Sequence, residues 1–183
     1  NNPEIVDTER GHNPPLGIMY IASYILKYTS HEVRIVDCQV NDLGYAEVED
    51  VIRSYKPDVV GLTALTLTII DCLKVARIAK NIDSGIKIVF GGPHPHIFPE
   101  ETIRLKDVDF LVLGEGEQII VDLLNNIDKP KKLAKIGGIV FKHKGKIVHN
   151  ALLPLIENLD EIPMPARQLT PYKKYSSLLA KRS

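Results

Sequence analysis

The chain has no tryptophan and only two cysteines, Cys38 and Cys72. Two thiols are too few for a disulfide framework. Both lie in apolar-leaning segments, which suits a reducing compartment, so a cytoplasmic location is expected. Charge of one sign is missing too: Lys plus Arg and Asp plus Glu both number 23. Without a basic excess, neither nucleic acid nor an anionic membrane surface is expected as a partner. No apolar run is long enough to span a bilayer. The polar first residues do not make a secretory signal. Two phosphate-cradling motifs are also absent. No Gly-x-Gly-x-x-Gly follows a first strand, and no glycine-rich loop ends in Gly-Lys-Ser/Thr.

What remains is 183 residues of which 44% are hydrophobic, enough for one sizeable core and an appendage. Pro14-Pro15-Leu16-Gly17 leads into an apolar stretch, Ile18 to about Lys27, too long for a strand. It predicts a buried helix started by proline. Val33–Asp37 predicts a short strand ending in an acid. Val48, Val51, Ile52 and Tyr55 give Tyr45–Tyr55 a helical period, ended by Lys56-Pro57-Asp58. Val59–Leu65, Lys87–Phe90 and Phe110–Leu113 predict strands. Ile69–Ile82, Pro99 to about Lys106, and Glu117–Ile127 predict helices. The strands lack polar alternation, which means a parallel sheet covered on both faces.

The expected fold is therefore α/β: a three-layer, flavodoxin-like (Rossmann-like) open parallel sheet of strand order 2-1-3-4-5. Its central first strand must be short and lie near residues 3–7, around Glu4-Ile5-Val6, or precede the sequence. The α/β domain is expected over residues 1–130. A β-hairpin appendage over 131–150 pairs Ile136–Lys142 with Lys146–His149. A linker over 151–183 is broken by Pro154, Pro163, Pro165 and Pro171.

Two glycine-bearing loops follow buried-type strands: Gly91-Gly92-Pro93-His94, and Gly114-Glu115-Gly116-Glu117. In an open parallel sheet, ligands bind at the carboxyl edge, and glycine lets a bulky ligand approach the backbone. Thr63, Ala64 and Leu65 end the strand between them and Asp37, with Thr66 and Thr68 following. Plainer duties are open to each residue. The glycines could serve tight turns, Asp37 a strand-end turn, the threonines helix caps, and Glu115 and Glu117 a helix amino terminus. His94-Pro95-His96 has no third ligand at familiar spacing, so no metal site is expected.

Pro14-Pro15-Leu16-Gly17, Asp37, Gly61-Leu62-Thr63-Ala64-Leu65, Gly91-Gly92-Pro93-His94 and Gly114-Glu115-Gly116-Glu117 together resemble the cobalamin-binding domain of cobalamin-dependent radical-SAM enzymes. That group includes anaerobic magnesium-protoporphyrin monomethyl ester cyclases and carbon methyltransferases. Glu157–Arg167 resembles the linker to the radical-SAM barrel. The resemblance implies a corrinoid cofactor. It places Thr63 and Leu65 beside the nucleotide tail, Gly91 and Gly92 where the tail passes the backbone, and Gly114 to Glu117 at its base end. Asp37, Thr66, Thr68, Pro93 and His94 complete the expected set, with no catalytic residue in this chain. A four-iron cluster and S-adenosylmethionine would belong to a following radical-SAM domain. The Cys-x-x-x-Cys-x-x-Cys motif they need is not present here.

Methionine-synthase-type domains carry Asp-x-His-x-x-Gly, with the histidine on cobalt. The stretch compared with it here reads Asp37-Cys38-Gln39-Val40-Asn41-Asp42. Glutamine is a poor cobalt ligand beside imidazole. Cobalamin is therefore expected with its own base displaced and no protein histidine on the metal. Two other readings stay open: a stand-alone corrinoid carrier or sensor, and a flavodoxin-like half of another transferase.

Overall fold

The structure, a computed structural model, describes residues 12–176. Its frame is a five-stranded sheet of β1 (Val59–Thr63), β2 (Lys87–Gly91), β3 (Phe110–Val112), β4 (Ile139–His143) and β5 (Lys146–His149), in that spatial order. β1, β2 and β3 run parallel, with Gly61 opposite Val89 and Val89 opposite Phe110. β4 and β5 continue the sheet antiparallel. The helices are α1 (Leu16–Tyr28), α2 (Tyr45–Tyr55), α3 (Ile69–Ile82), α4 (Pro93–Ile97), α5 (Pro99–Arg104), α6 (Gly116–Asn126) and α7 (Pro130–Leu133).

Alternation along the strands builds two cores. Ile88, Phe90, Leu111 and Val140 point to one face and pack with Val48 and Ile52 of α2, Ala76 and Ala79 of α3, and Ile103 of α5. Val89, Phe110, Val112, Ile139 and Phe141 point to the other. They meet Ile25 of α1, Ile119 and Leu123 of α6, and Leu133 of α7. β2 and β3 are buried on both faces, so they read as continuous Val/Ile/Leu/Phe runs rather than alternating ones. This is the flavodoxin-like α/β architecture the sequence predicts, and β1-β2-β3 form the 3-4-5 half of the expected order.

Three details differ from expectation. Val33–Asp37 forms no strand among the described residues, because a strand needs a ladder partner and none is described beside it. The strand expected near residues 3–7 lies outside the described residues. Two short helices, α4 and α7, occupy stretches expected as loop; each opens with proline at its first turn, where the missing N–H is harmless. The hairpin joins the sheet edge rather than standing apart. Phe141 pairs with Phe110, their rings 6.3 Å apart and stacked. Its tip places both Lys144 (φ 48°) and Gly145 (φ 74°) in the left-handed region, as a two-residue type I′ turn requires.

Candidate cofactor site

The carboxyl edge of the sheet is organised by a clasp between β1 and β2. Ala64 N donates to Gly91 O at 2.8 Å, and His94 N donates to Ala64 O at 3.0 Å. The loop after β2 therefore folds over the end of β1. Gly92 makes this possible at φ 93°. A Cβ there would lie 3.0 Å from both Ala64 O and Thr63 Cγ2. Its glycine requirement thus comes from the protein's own backbone.

Around the clasp the polar loop residues hold one another. The Thr68 hydroxyl accepts from Leu65 N at 3.1 Å and closes the loop that opens α3. His94 Nδ1 lies 3.2 Å from Thr66 Oγ1, and its ring leans on Phe98 at 5.3 Å. Leu65, Ile97 and Phe98 stay exposed on this rim. Leu65, Thr66, Thr68, Pro93 and His94 are thus brought into one cluster.

Beside the clasp, on the α1 and α6 side of the sheet, the described residues leave the carboxyl end of β1 uncovered, as a groove. Gly61 and Thr63 face it by alternation with Val59, and both are exposed. Gly91 faces it by alternation with Val89. A Cβ on Gly61 would meet nothing within 4 Å among the described residues, and one on Gly91 only Val112 O at 3.8 Å. Gly17, one turn ahead of Ile21 on α1, and Gly114 (φ 85°) after β3 likewise have open space. The Thr63 hydroxyl forms no hydrogen bond among the described residues. Gly61 and Gly17 stand in the resembling motifs and do not belong to the expected cofactor set. The signal for Gly61 was available, because glycine inside a strand marks a close approach by another chain or a ligand.

Residues 151–176, expected as a linker, return across this edge as a strap. Ile156 N donates to Glu115 Oε2 over the start of α6. Over α1, Ser23 Oγ donates to Pro163 O at 3.4 Å and Ala166 N to Met19 O at 3.1 Å. Tyr175 OH donates to Asp37 Oδ2 at 3.1 Å, and Ser176 exchanges both backbone hydrogen bonds with His12. Burial, then Asp37, pushes the Tyr175 phenol up. Asp37 Oδ1 accepts from Gln39 N and Val40 N, so this acid shapes its own turn and anchors the strap. Glu115 is likewise engaged. Glu117 differs: its Oε2 is buried with no hydrogen-bond partner among the described residues, as is His12 Nδ1.

Cys38 and Cys72 are partly buried against the core, and burial pushes both thiols up, which suits small apolar residues. A surface pocket of about 680 Å³ lies at the opposite edge, lined by charges of both signs (Arg53, Lys56, Asp58, Asp83). The carboxyl edge instead exposes Leu65, Ile97 and Phe98 beside uncovered glycines and the Thr63 hydroxyl, which has no partner among the described residues. These features suit a wide, mostly apolar ligand with a long half-polar tail.

Comparison with known proteins agrees. The B12 binding domain family model matches residues 5–124. A methyltransferase of Pyrococcus horikoshii, itself uncharacterized, is 39% identical over 90% of this chain and 36% of its own length. The anaerobic magnesium-protoporphyrin IX monomethyl ester cyclase of Rubrivivax gelatinosus is 33% identical over 90% of this chain and 30% of its own. The chain thus spans about a third of the length of these relatives. In fold it is similar to the cobalamin-dependent S-adenosylmethionine radical enzyme OxsB, solved with aqua-cobalamin and S-adenosylmethionine bound. The TM-score is 0.74 at 22% identity, over 88% of this chain and 23% of that one. The radical S-adenosylmethionine methyltransferase TsrM of Kitasatospora setae, solved with tryptophan substrate and a SAM analog bound, gives 0.65 at 16% identity, over 77% and 28%. With the family model covering most of the described sheet and its edge, the chain belongs to the B12-binding domain family.

Proposed function

We propose that this chain is the cobalamin module of a radical-SAM enzyme, acting in methyl transfer or cyclase-type chemistry on an organic substrate. The observation that carries this reading is the open groove floored by Gly61 and Gly91 beside the spare Thr63 hydroxyl. Its floor lacks the side chains that would fill it, as a nucleotide tail requires. Thr63 offers its hydroxyl to the tail's base and Leu65 an apolar side. Gly91 and Gly114 give the tail room, while Thr66, Thr68, Gly92, Pro93 and His94 build the rim under the corrin. Gly116 lets α1 approach α6. Asp37 and Glu115 hold the strap that borders the groove.

With Gln39 in the turn after Asp37, no imidazole from that turn reaches the metal, and the cofactor binds with its own base displaced. When bound, cobalamin supplies a cobalt centre that can carry a methyl group. The four-iron cluster and S-adenosylmethionine belong to a further domain, towards which residues 151–183 lead, with 1–130 as the cofactor unit and 131–150 as its hairpin. Balanced charge and two free thiols favour a cytoplasmic setting without nucleic-acid or membrane partners.

The test is retention. Mixed with hydroxocobalamin and passed through gel filtration, the protein is expected to elute with bound corrin absorbance at about one equivalent. Colourless protein would overturn the assignment.

A further inference from the structure

The strap is pinned along its length, yet it keeps its large apolar side chains in solvent. Ala151 O accepts from Gly138 N at 2.8 Å where the strap leaves the hairpin. Farther on, Ile156 N donates to Glu115, Pro163 O accepts from Ser23, Ala166 N donates to Met19 O, and Tyr175 donates to Asp37. In its middle Pro165, Ala166 and Thr170 are buried. The other apolar side chains are not: Leu152 is 57% exposed, Leu155 73%, Leu159 65%, Met164 80% and Tyr172 59%. A strap that only closed this domain would turn such side chains inward, because burying a leucine is among the larger gains a side chain can bring. Here hydrogen bonds fix the path and burial contributes little. Single exposed apolar residues are normal on a surface, but several along one fixed segment mark an interaction face.

We infer that the strap is a seat, on which a further domain of the same polypeptide docks an apolar face against Leu152, Leu155, Leu159 and Met164. This rests on the proposal above that the chain is one module of a longer enzyme. Two observations choose this occupant over a second copy. A stable complex between separate molecules takes about 20–30 residues on each side, more than this strap presents. A domain joined to the strap by the chain itself needs far less, because tethering supplies an effective concentration on the order of millimolar. The relatives have chain for such a domain: the match covers 36% of the Pyrococcus horikoshii methyltransferase and 30% of the Rubrivivax gelatinosus cyclase. The strap then does more than lead from one domain to the next. Its anchors on Ser23 and Met19 of α1 and on Glu115 at the start of α6 set where the second domain sits.

Methionine oxidation in the full-length protein reads the seat. The chain's two methionines lie at opposite extremes, Met164 80% exposed and Met19 1%. Hydrogen peroxide transfers one oxygen to the thioether and leaves as water, and peptide mass spectrometry locates the sulfoxide. With the seat occupied, Met164 is expected to oxidise at least about tenfold more slowly than in urea-unfolded protein, as buried Met19 does. Leu155→Asp, which would force a carboxylate into an apolar contact, should restore rapid oxidation of Met164 while Met19 stays protected. Protection of Met19 shows that the variant has folded. Rapid oxidation of Met164 in the wild-type protein would overturn the seat, as would protection that Leu155→Asp leaves unchanged. Protection lost on dilution would give the face to a second copy and overturn it too. Cobalamin retention is read separately: protected Met164 in protein that holds no corrin would overturn the cobalamin reading and not the seat.

Discussion

Gly61→Leu is expected to lower cobalamin affinity by at least about a hundredfold while leaving the protein as stable as before, or more so. Gly61 sits in the middle of β1, paired with Val89, and is exposed on the α1 and α6 side. A Cβ there meets no described atom within 4 Å. In a strand interior glycine is a liability of roughly 0.5–1 kcal/mol relative to alanine, from backbone entropy and absent packing. A side chain that touches nothing should recover part of that. The same side chain would fill the groove in which the nucleotide tail is placed. Opposite movement of stability and affinity is the signature of a position kept small for a ligand. Thermal unfolding and equilibrium dialysis on the same variant read both. Wild-type affinity in Gly61→Leu would remove the groove from the site.

Gly92→Ala should do the reverse and damage the protein first. Its φ of 93° and ψ of −176° are open essentially to glycine alone, a cost of about 1–3 kcal/mol for another residue. The added Cβ would also press on Ala64 O at 3.0 Å, a backbone atom held by the His94 N–H. Because backbone cannot swing away as a side-chain tip can, we expect about 3 kcal/mol of destabilisation in urea unfolding. Cobalamin affinity should fall with it, since Thr66 and His94 ride on the clasp. A loss below about 0.5 kcal/mol would show that the clasp does not need glycine. The two glycines thus separate by what surrounds them: Gly61 has open space among the described residues, and Gly92 meets its own chain.

That contrast marks how far sequence alone reaches. Buried strands were legible because residues such as Lys87–Phe90 leave no polar face, and helices such as Tyr45–Tyr55 and Ile69–Ile82 because their apolar period and terminators agree. α4 was not, since Pro-His-Pro-His-Ile has no apolar period and is too short to show one. The strap was hidden for a different reason. Single hydrogen bonds from a proline-broken segment, such as Ala166 N to Met19 O, leave no pattern in composition. The hydrogen bonds of Asp37 and Glu115 were hidden likewise: sequence places an acid in a loop, and the fold shows that Tyr175 and Ile156 bond to these two. The glycine loops themselves were legible as turns at one sheet edge. Which glycine has open space around it depends on strand alternation and on the neighbours of a missing Cβ, both properties of the assembled sheet.

If the groove beside β1 takes the nucleotide tail, the bound cofactor's cobalt reports on it directly. A tail lying in the groove cannot also place its benzimidazole on the metal. Electron paramagnetic resonance of the protein-bound cobalt(II) form should therefore show no nitrogen coupling. Coupling that changes from three lines to two only when histidine carries ¹⁵N would place a protein imidazole on cobalt, with His12 the first residue to substitute. Coupling from the cofactor's own base would leave the tail outside the groove and contradict the account.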